Sequence, residues 1–306
     1  MDNLIKEELG VNVLEPFSRA SGGCISQAAG YHTDKLGDVF IKINSKAEAG
    51  QMFDGEFASL NAIYETQTIR VPKPIKSIKA DNQCYLVTEY LYMNGSPKPA
   101  ELGTKLAKLH AHNAELLKAK EKRCSFIGGA EKGSAAVTQF GFDIPTCCGY
   151  IKQVNDWSDD WVEFYSRNRL KAQIDLLLEK KGDRELLDLW PKLERKIPLF
   201  FQGCKTIVPS LVHGDLWSGN YSYDEDVVYD PASFYGHSEF EMGIMQMFGG
   251  FSSAVYSAYH KIIPEENGSK SRIQLYELFH HLNHWNHFGS GYKAGAISIM
   301  KSLISK

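Results

Sequence analysis

The spacing of apolar residues changes period near residue 94, and that change constrains the fold more than any other feature of the chain. Before it come short runs rich in β-branched and aromatic residues, at 11–20, 30–33 and 39–43. Turn material separates them: Ser21-Gly22-Gly23 and Lys35-Leu36-Gly37-Asp38. Helical spacing follows over 47–63, with Met52, Phe53, Phe57, Leu60 and Ile63 on one side. Val71-Pro72-Lys73-Pro74 ends it, and 75–78 and 84–91 read as two further strands about Asp81-Asn82. Residues 94–99 form a linker of Gly, Ser and Pro. Beyond it the spacing is helical over 101–117, 161–180, 184–193 and 276–288. The expected fold is therefore α+β and bilobal: a β-rich N-lobe, 1–93, with one main helix, and a mostly α-helical C-lobe, 94–306. Residues 118–141 turn basic, then rich in Gly, Ser and Ala, and are expected to form a long mobile loop.

Composition removes several classes of partner. Lys plus Arg number 34 and Asp plus Glu 37, a net charge of -3, so no global field favours nucleic acid or an anionic membrane surface. The uncharged run 242–259 carries Gln246, Gly249, Gly250 and several serines, which makes it a buried helix and a turn, not a bilayer span. The six cysteines are irregularly spaced and include no C-x-x-C pair, which argues against a disulfide framework or a structural zinc site. Acids stand where a secretory leader needs basic and apolar residues. The expected location is the reducing cytoplasm.

The chemistry concentrates in His213-Gly214-Asp215-Leu216-Trp217-Ser218-Gly219-Asn220. This fits H-x-D-L-x-x-x-N, the catalytic-loop spacing of phosphoryl-transfer enzymes, with Gly214 in place of Arg. A tight loop lets Asp215 face an incoming hydroxyl while Asn220 turns back as a metal ligand. The apolar run Val227-Val228-Tyr229 then ends in Asp230, where a second metal ligand belongs. Lys42, on the third expected strand, suits contact with phosphates, and Glu56 on the first helix could pair with it. Ser21-Gly22-Gly23-Cys24-Ile25-Ser26 lies where a phosphate-covering loop belongs, although it lacks the G-x-G-x-x-G order. Glu89, Tyr90 and Leu91 would form the hinge whose backbone meets adenine. The implied cofactors are ATP and Mg2+. A solvated strand lysine, a surface helix acid and a capping Asp are the bland readings of these residues one at a time; their joint order favours the site.

Leu102-Gly103, Leu106-Ala107 and Leu109-His110, with the loop above, resemble the aminoglycoside and choline phosphotransferase branch of kinase-like folds. Longer stretches narrow this. They are Gly22-Gly23-Cys24-Ile25-Ser26, Gln51-Met52-Phe53-Asp54-Gly55-Glu56, Phe140-Gly141-Phe142, Thr146-Cys147-Cys148-Gly149, Asn155-Asp156-Trp157, the run 230–241 (DPASFYGHSEFE) and Asn283-His284-Trp285-Asn286-His287-Phe288-Gly289. Together they resemble the fructosamine-3-kinase and ketosamine-3-kinase family over nearly the whole chain, least over 118–137. The resemblance implies a protein-kinase-like fold and ATP-dependent phosphorylation of the sugar 3-hydroxyl of ketosamines. These would be fructosamines, ribulosamines or psicosamines, free or on protein lysines; the unstable 3-phosphate then decomposes and frees the amine. The rival readings are a phosphotransferase for another small hydroxyl compound, of aminoglycoside or choline type, and a nucleotide-binding pseudokinase.

Other residues carry secondary expectations. Trp217 could stack on the sugar or pack the loop. His237 and Glu239 could line the acceptor pocket, while Glu241 braces the loop. Cys24, among phosphate-binding amides, is a redox candidate that could link a dimer; otherwise the chain is expected to be monomeric. Cys147 and Cys148 read as small buried residues. His280 and His284, an i, i+4 pair one turn beyond Glu277, could hold zinc, but interleaved aromatics favour core or pocket-lining roles.

Overall fold

The computed structural model describes residues 2–20, 26–80, 82–93, 98–124, 136–222 and 226–306. The N-terminal lobe holds helix α1 (Asp2–Leu9), strands β1 (Leu14–Ala20), β2 (Gln27–Thr33) and β3 (Asp38–Asn44), helix α2 (Ala49–Thr66), and strands β4 (Pro74–Ala80) and β5 (Gln83–Glu89). The five strands form one antiparallel sheet in the order β1-β2-β3-β5-β4. Strand alternation sorts β3 into two faces. Val39 and Ile41 are fully buried with Leu14, Ile78, Tyr85 and Val87, capped by Ile5 of α1. Lys42 points to the other face, in register with Leu86, which belongs to the core shared with α2 and the C-lobe. Helix α1 escapes the sequence reading because one apolar anchor, Ile5, sits among charged residues.

Helix α3 (Pro99–Cys124) begins the second lobe. It runs past residue 117, so the first part of the expected mobile loop is helix; residues 118–122 are exposed, and their Lys, Ala and Glu are good helix formers without an apolar period. Residues 125–135 lie outside the described residues. The end of that stretch is anchored, because Phe140 is buried and bridged to Ser158 and Gly141 to Tyr235. Then come β6 (Cys147–Cys148), β7 (Ile151–Lys152), α4 (Trp161–Phe164), α5 (Ala172–Lys181) and α6 (Arg184–Glu194). Where one helix was expected over 161–180, a π-helical segment, Tyr165–Lys171, separates α4 from α5 and buries Arg169.

Short strands β8 (Ser210–Val212), β9 (Tyr221–Ser222), β10 (Val227–Val228) and β11 (Phe234–Gly236) frame the catalytic loop. β8 pairs with β11 and β9 with β10. The uncharged run resolves into α7 (Phe240–Met247) and α8 (Ser253–His260), broken at Gly249 and Gly250, both at positive φ. Helices α9 (Ser269–Phe288) and α10 (Lys293–Ser305) close the lobe. The last was not foreseen; it buries Ala296, Ile297, Met300 and Leu303 at helical spacing. Among the described residues no helix is long and apolar enough to cross a membrane.

Helix α3 lies so close to α8 that a Cβ on Gly103 would meet the Val255 carbonyl oxygen at 2.1 Å. Backbone cannot yield as a flexible side chain would. Gly103→Ala should therefore destabilise the fold by about 1–3 kcal/mol, read from urea denaturation. An unshifted midpoint would mean that the two helices part at no cost.

Candidate active site

The sheet face that carries Lys42 turns it toward two carboxylates. Its Nζ lies 2.6 Å from Glu56 Oε1 and 2.5 Å from Asp230 Oδ1. Glu56 comes from α2, which is fixed to the segment after β10 by Ser59: its hydroxyl donates to the Gly55 carbonyl at 2.7 Å and accepts the Ser233 amide at 3.0 Å. The lobes also meet where the Val228 amide donates to the Arg70 carbonyl. Asp230 has φ +59°, a left-handed conformation that Asp tolerates better than most residues and that ends β10 abruptly.

The catalytic loop is held by backbone contacts and one buried acid. Glu241 of α7 accepts the His213 amide at 2.6 Å and the Gly214 amide at 3.1 Å. His213 is buried and neutral: Nε2 donates to the Tyr229 carbonyl at 3.0 Å while Nδ1 accepts the Asp215 amide at 3.3 Å. Gly214 is required by space as well as by its φ of +85°, since a Cβ would sit 2.2 Å from the Ala232 carbonyl oxygen. Asn220 Nδ2 donates to the Asp215 carbonyl at 2.9 Å and contacts Asp215 Oδ2 at 3.3 Å. With its amide nitrogen so engaged, Asn220 presents its oxygen elsewhere. That oxygen and the Asp230 carboxylate are hard donors of the kind Mg2+ takes, so the residues fit the ion.

The acids around the loop are tuned apart. Burial raises the Asp215 carboxyl well above the usual range, and the charges of Asp230 and Glu241 push the same way. Burial also opposes ionisation of Glu241, but the hydrogen bond and charge of His110, with the His213 amide, outweigh it and lower its pKa. Burial would lower the Lys42 pKa, yet the Asp230 and Glu56 carboxylates reverse this and raise it. Glu56 is pushed up to about 7 by burial, against the pull of Lys42.

The structure thus brings Lys42, Glu56, Asp215, Asn220 and Asp230 to one region between the two lobes. Ser26 lies just before β2, and its hydroxyl accepts from the Asn44 side-chain amide at 3.3 Å. Gly22, Gly23 and Cys24 lie outside the described residues. Glu89 ends β5, paired through its side chain with Arg70 at 3.1 Å. The Tyr90 amide donates to the Asp38 carbonyl, and its ring packs on Phe17 and Tyr92; Leu91 is buried. Trp217 is 39% exposed and leans on Phe248 with ring centres 5.8 Å apart. His237 is buried and bonded to the Tyr276 hydroxyl at 2.8 Å, and Glu239 forms a two-pronged pair with Arg272 at 2.7 and 2.8 Å. Both are thereby engaged by the C-lobe's own side chains. Ser59 was not singled out in the sequence; a serine on the apolar face of an amphipathic helix is the signal that could have found it.

A two-lobed scaffold that gathers a paired lysine, a raised carboxylate and hard oxygen donors defines a phosphotransferase of the protein-kinase-like class. Comparison with known proteins is narrower. The chain belongs to the fructosamine kinase family, whose model matches residues 1–306. It is 52% identical to mouse (Mus musculus) ketosamine-3-kinase, over 99% of either chain. It is 40% identical to the chloroplastic protein-ribulosamine 3-kinase of Arabidopsis thaliana, over 92% of this chain and 81% of that one. A crystal structure from Thermobifida fusca, described as a candidate fructosamine-3-kinase, superposes with a TM-score of 0.78 at 21% identity, covering 99% of this chain and 98% of that chain. At that identity the likeness speaks for the fold alone.

Glu56 makes a pH prediction. Its folded pKa of about 7 exceeds the reference 4.5, so the native nucleotide-free protein holds the proton more tightly than the unfolded chain. The contribution of this group to stability therefore falls as pH rises from about 4.5 to about 7 and is level above. Glu56→Gln should flatten that part of the stability curve. Parallel curves for the two proteins in denaturant titrations would refute it.

Proposed function

We propose that this chain transfers the γ-phosphoryl group of ATP to the sugar 3-hydroxyl of ketosamines, free or carried on protein lysines. The observation that carries the reading is the Lys42–Glu56–Asp230 cluster beside Asp215, in a chain 52% identical to a ketosamine-3-kinase. Asp215, made more basic by burial, accepts the proton of the sugar hydroxyl. The oxygen then attacks the γ-phosphorus in line, and the bond to the bridging oxygen of ADP breaks. Lys42, steadied by Glu56, offers its charge to the phosphates. Asn220 and Asp230 would hold Mg2+, which offsets phosphate charge when bound. Backbone of Glu89 and Leu91 would meet adenine, while Gly22, Gly23, Cys24 and Ser26 would cover the phosphates.

Relatives named for ketosamine and for protein-bound ribulosamine support this acceptor class over choline or an aminoglycoside. The presence of the lysine, base and metal-type ligands together supports turnover over a pseudokinase. A function in protein deglycation, returning free lysine amines, follows from the instability of the 3-phosphate. Cys84, Cys147, Cys148 and Cys204 are free thiols, which supports a reducing, cytoplasmic location. The exposed face of Trp217 supports a sugar or amine contact.

Turnover of a synthetic ketosamine, set beside choline and an aminoglycoside, tests the acceptor; phosphorus NMR of the product locates the phosphate. Phosphate on any carbon but the third, or faster turnover of another acceptor, overturns the assignment. Asp215→Asn should lose about 10²-fold or more in kcat with unchanged melting; near-normal turnover would remove Asp215 from the mechanism. Trp217→Ala should raise KM while leaving the fold intact, and a lost fold with unaltered KM in the surviving protein would show that the ring only packs.

A further inference from the structure

Three ligand-type side chains from distant parts of the chain meet behind the catalytic loop. The sulfur of Cys148, a carboxylate oxygen of Asp215 and a ring nitrogen of His280 all lie within 4.8 Å of one another. Cys148 comes from β6 and His280 from α9, and both are buried. His280 is the second, independent observation. It is fully buried, and neither ring nitrogen has a hydrogen-bond partner among the described residues. Such groups are rare and call for an explanation. Packing alone does not provide one. The ring sits 5.3 Å from Phe240 and 5.0 Å from Phe279, and a phenylalanine would fill that space without desolvating two nitrogens.

The donor set decides the ion. Thiolate and imidazole are poor ligands for Mg2+, which takes oxygen, and good ones for Zn2+. We propose that Cys148, Asp215 and His280 form a three-ligand site for Zn2+ whose occupation withdraws Asp215 from proton transfer and so switches the enzyme off. Binding releases the Cys148 thiol proton to water; Asp215 ligates as carboxylate and His280 as neutral imidazole. Thiolate and carboxylate cancel the charge of the dication, so the closed site carries no net charge into the interior. Asn283 Nδ2 donates to the Cys148 sulfur at 3.1 Å, an outer contact that steadies a thiolate ligand. Ligand atoms around a tetrahedral zinc stand roughly 3.3–3.8 Å apart. Asp215 is the half-buried member of the three, so it is the ligand that would reach solvent and move in to close on the ion. Zinc binding stands independently of the proposed reaction; the inhibition rests on Asp215 acting as its base.

Co2+ is the direct probe. Titrating the reduced full-length protein with Co2+, without nucleotide, should give tetrahedral ligand-field bands and a thiolate-to-cobalt charge-transfer band, both abolished by Zn2+. Cys148→Ala should lack the charge-transfer band. His280→Phe keeps the ring packing and should weaken Co2+ binding at least about tenfold. In the kinase assay with saturating Mg2+, buffered free Zn2+ should inhibit the wild type. The inhibition constant should rise at least about tenfold in either variant, each measured against its own zinc-free rate. No charge-transfer band in the wild type, or one that survives in Cys148→Ala, overturns the site. Cobalt bands without zinc inhibition overturn the switch. If the zinc-free wild type phosphorylates no ketosamine, the proposed reaction fails, while the cobalt spectra still decide the site.

Discussion

One ammonium group holds the chemistry of both lobes together. Lys42 Nζ is shared between Glu56 and Asp230, at 2.6 and 2.5 Å, and its side chain is only 17% exposed. A cation in that position is costly without partners. Buried ion pairs of this kind roughly break even as stability devices, because desolvation offsets their attraction. Their value here is geometric. β3, α2 and the segment after β10 must be in mutual register before either carboxylate reaches the lysine, and Ser59 fastens two of these parts, α2 and the segment after β10, through the Ser233 amide. The arrangement presents one cation beside one carboxylate, Asp230, that stays 47% exposed.

The same logic explains how three acids in one neighbourhood hold different protonation preferences. Glu241 is fully buried yet favours its ionised form, because the amides of His213 and Gly214 point at it and His110 Nε2 lies 3.5 Å away. Asp215 lies nearby with less compensation and feels the negative charge of Glu241 and Asp230, so its carboxyl is raised. Glu56 is raised by burial despite its lysine. Hydrogen-bond donors, not residue type, separate the acid held ionised from the acids whose pKa is raised.

What could be read in the sequence follows from what kind of interaction fixed each part. The sheet strands and α2 were legible because their apolar residues alternate or recur against a single face. Helix α10 and the far end of α3 were not, the first for want of a cap signal and the second because charged helix formers carry no period. The Lys42–Glu56 pair was legible from strand-then-helix order, and Asp215, Asn220 and Asp230 from local spacing. His237 and Glu239 were harder: their partners, Tyr276 and Arg272, lie on a helix that begins 30 residues or so further on, and no local pattern points to it.

The histidines of α9 show the limit most clearly. Their i, i+4 spacing suggests a shared ligand, yet His284 turns Nδ1 onto the His280 carbonyl at 2.8 Å, and His287 does the same to Asn283 at 2.7 Å. The His284 ring thus serves its own helix, and that of His287 also accepts the Tyr150 amide at 3.1 Å. His280 alone is left to face inward, and it meets a sulfur and a carboxylate from remote segments. Asp215 therefore has two sets of neighbours: Asn220, whose amide nitrogen donates to its carboxylate at 3.3 Å, and Cys148 with its soft sulfur. Both contacts favour the ionised carboxylate, yet burial and the charges of Asp230 and Glu241 outweigh them, so the surroundings gathered from remote segments set its proton affinity.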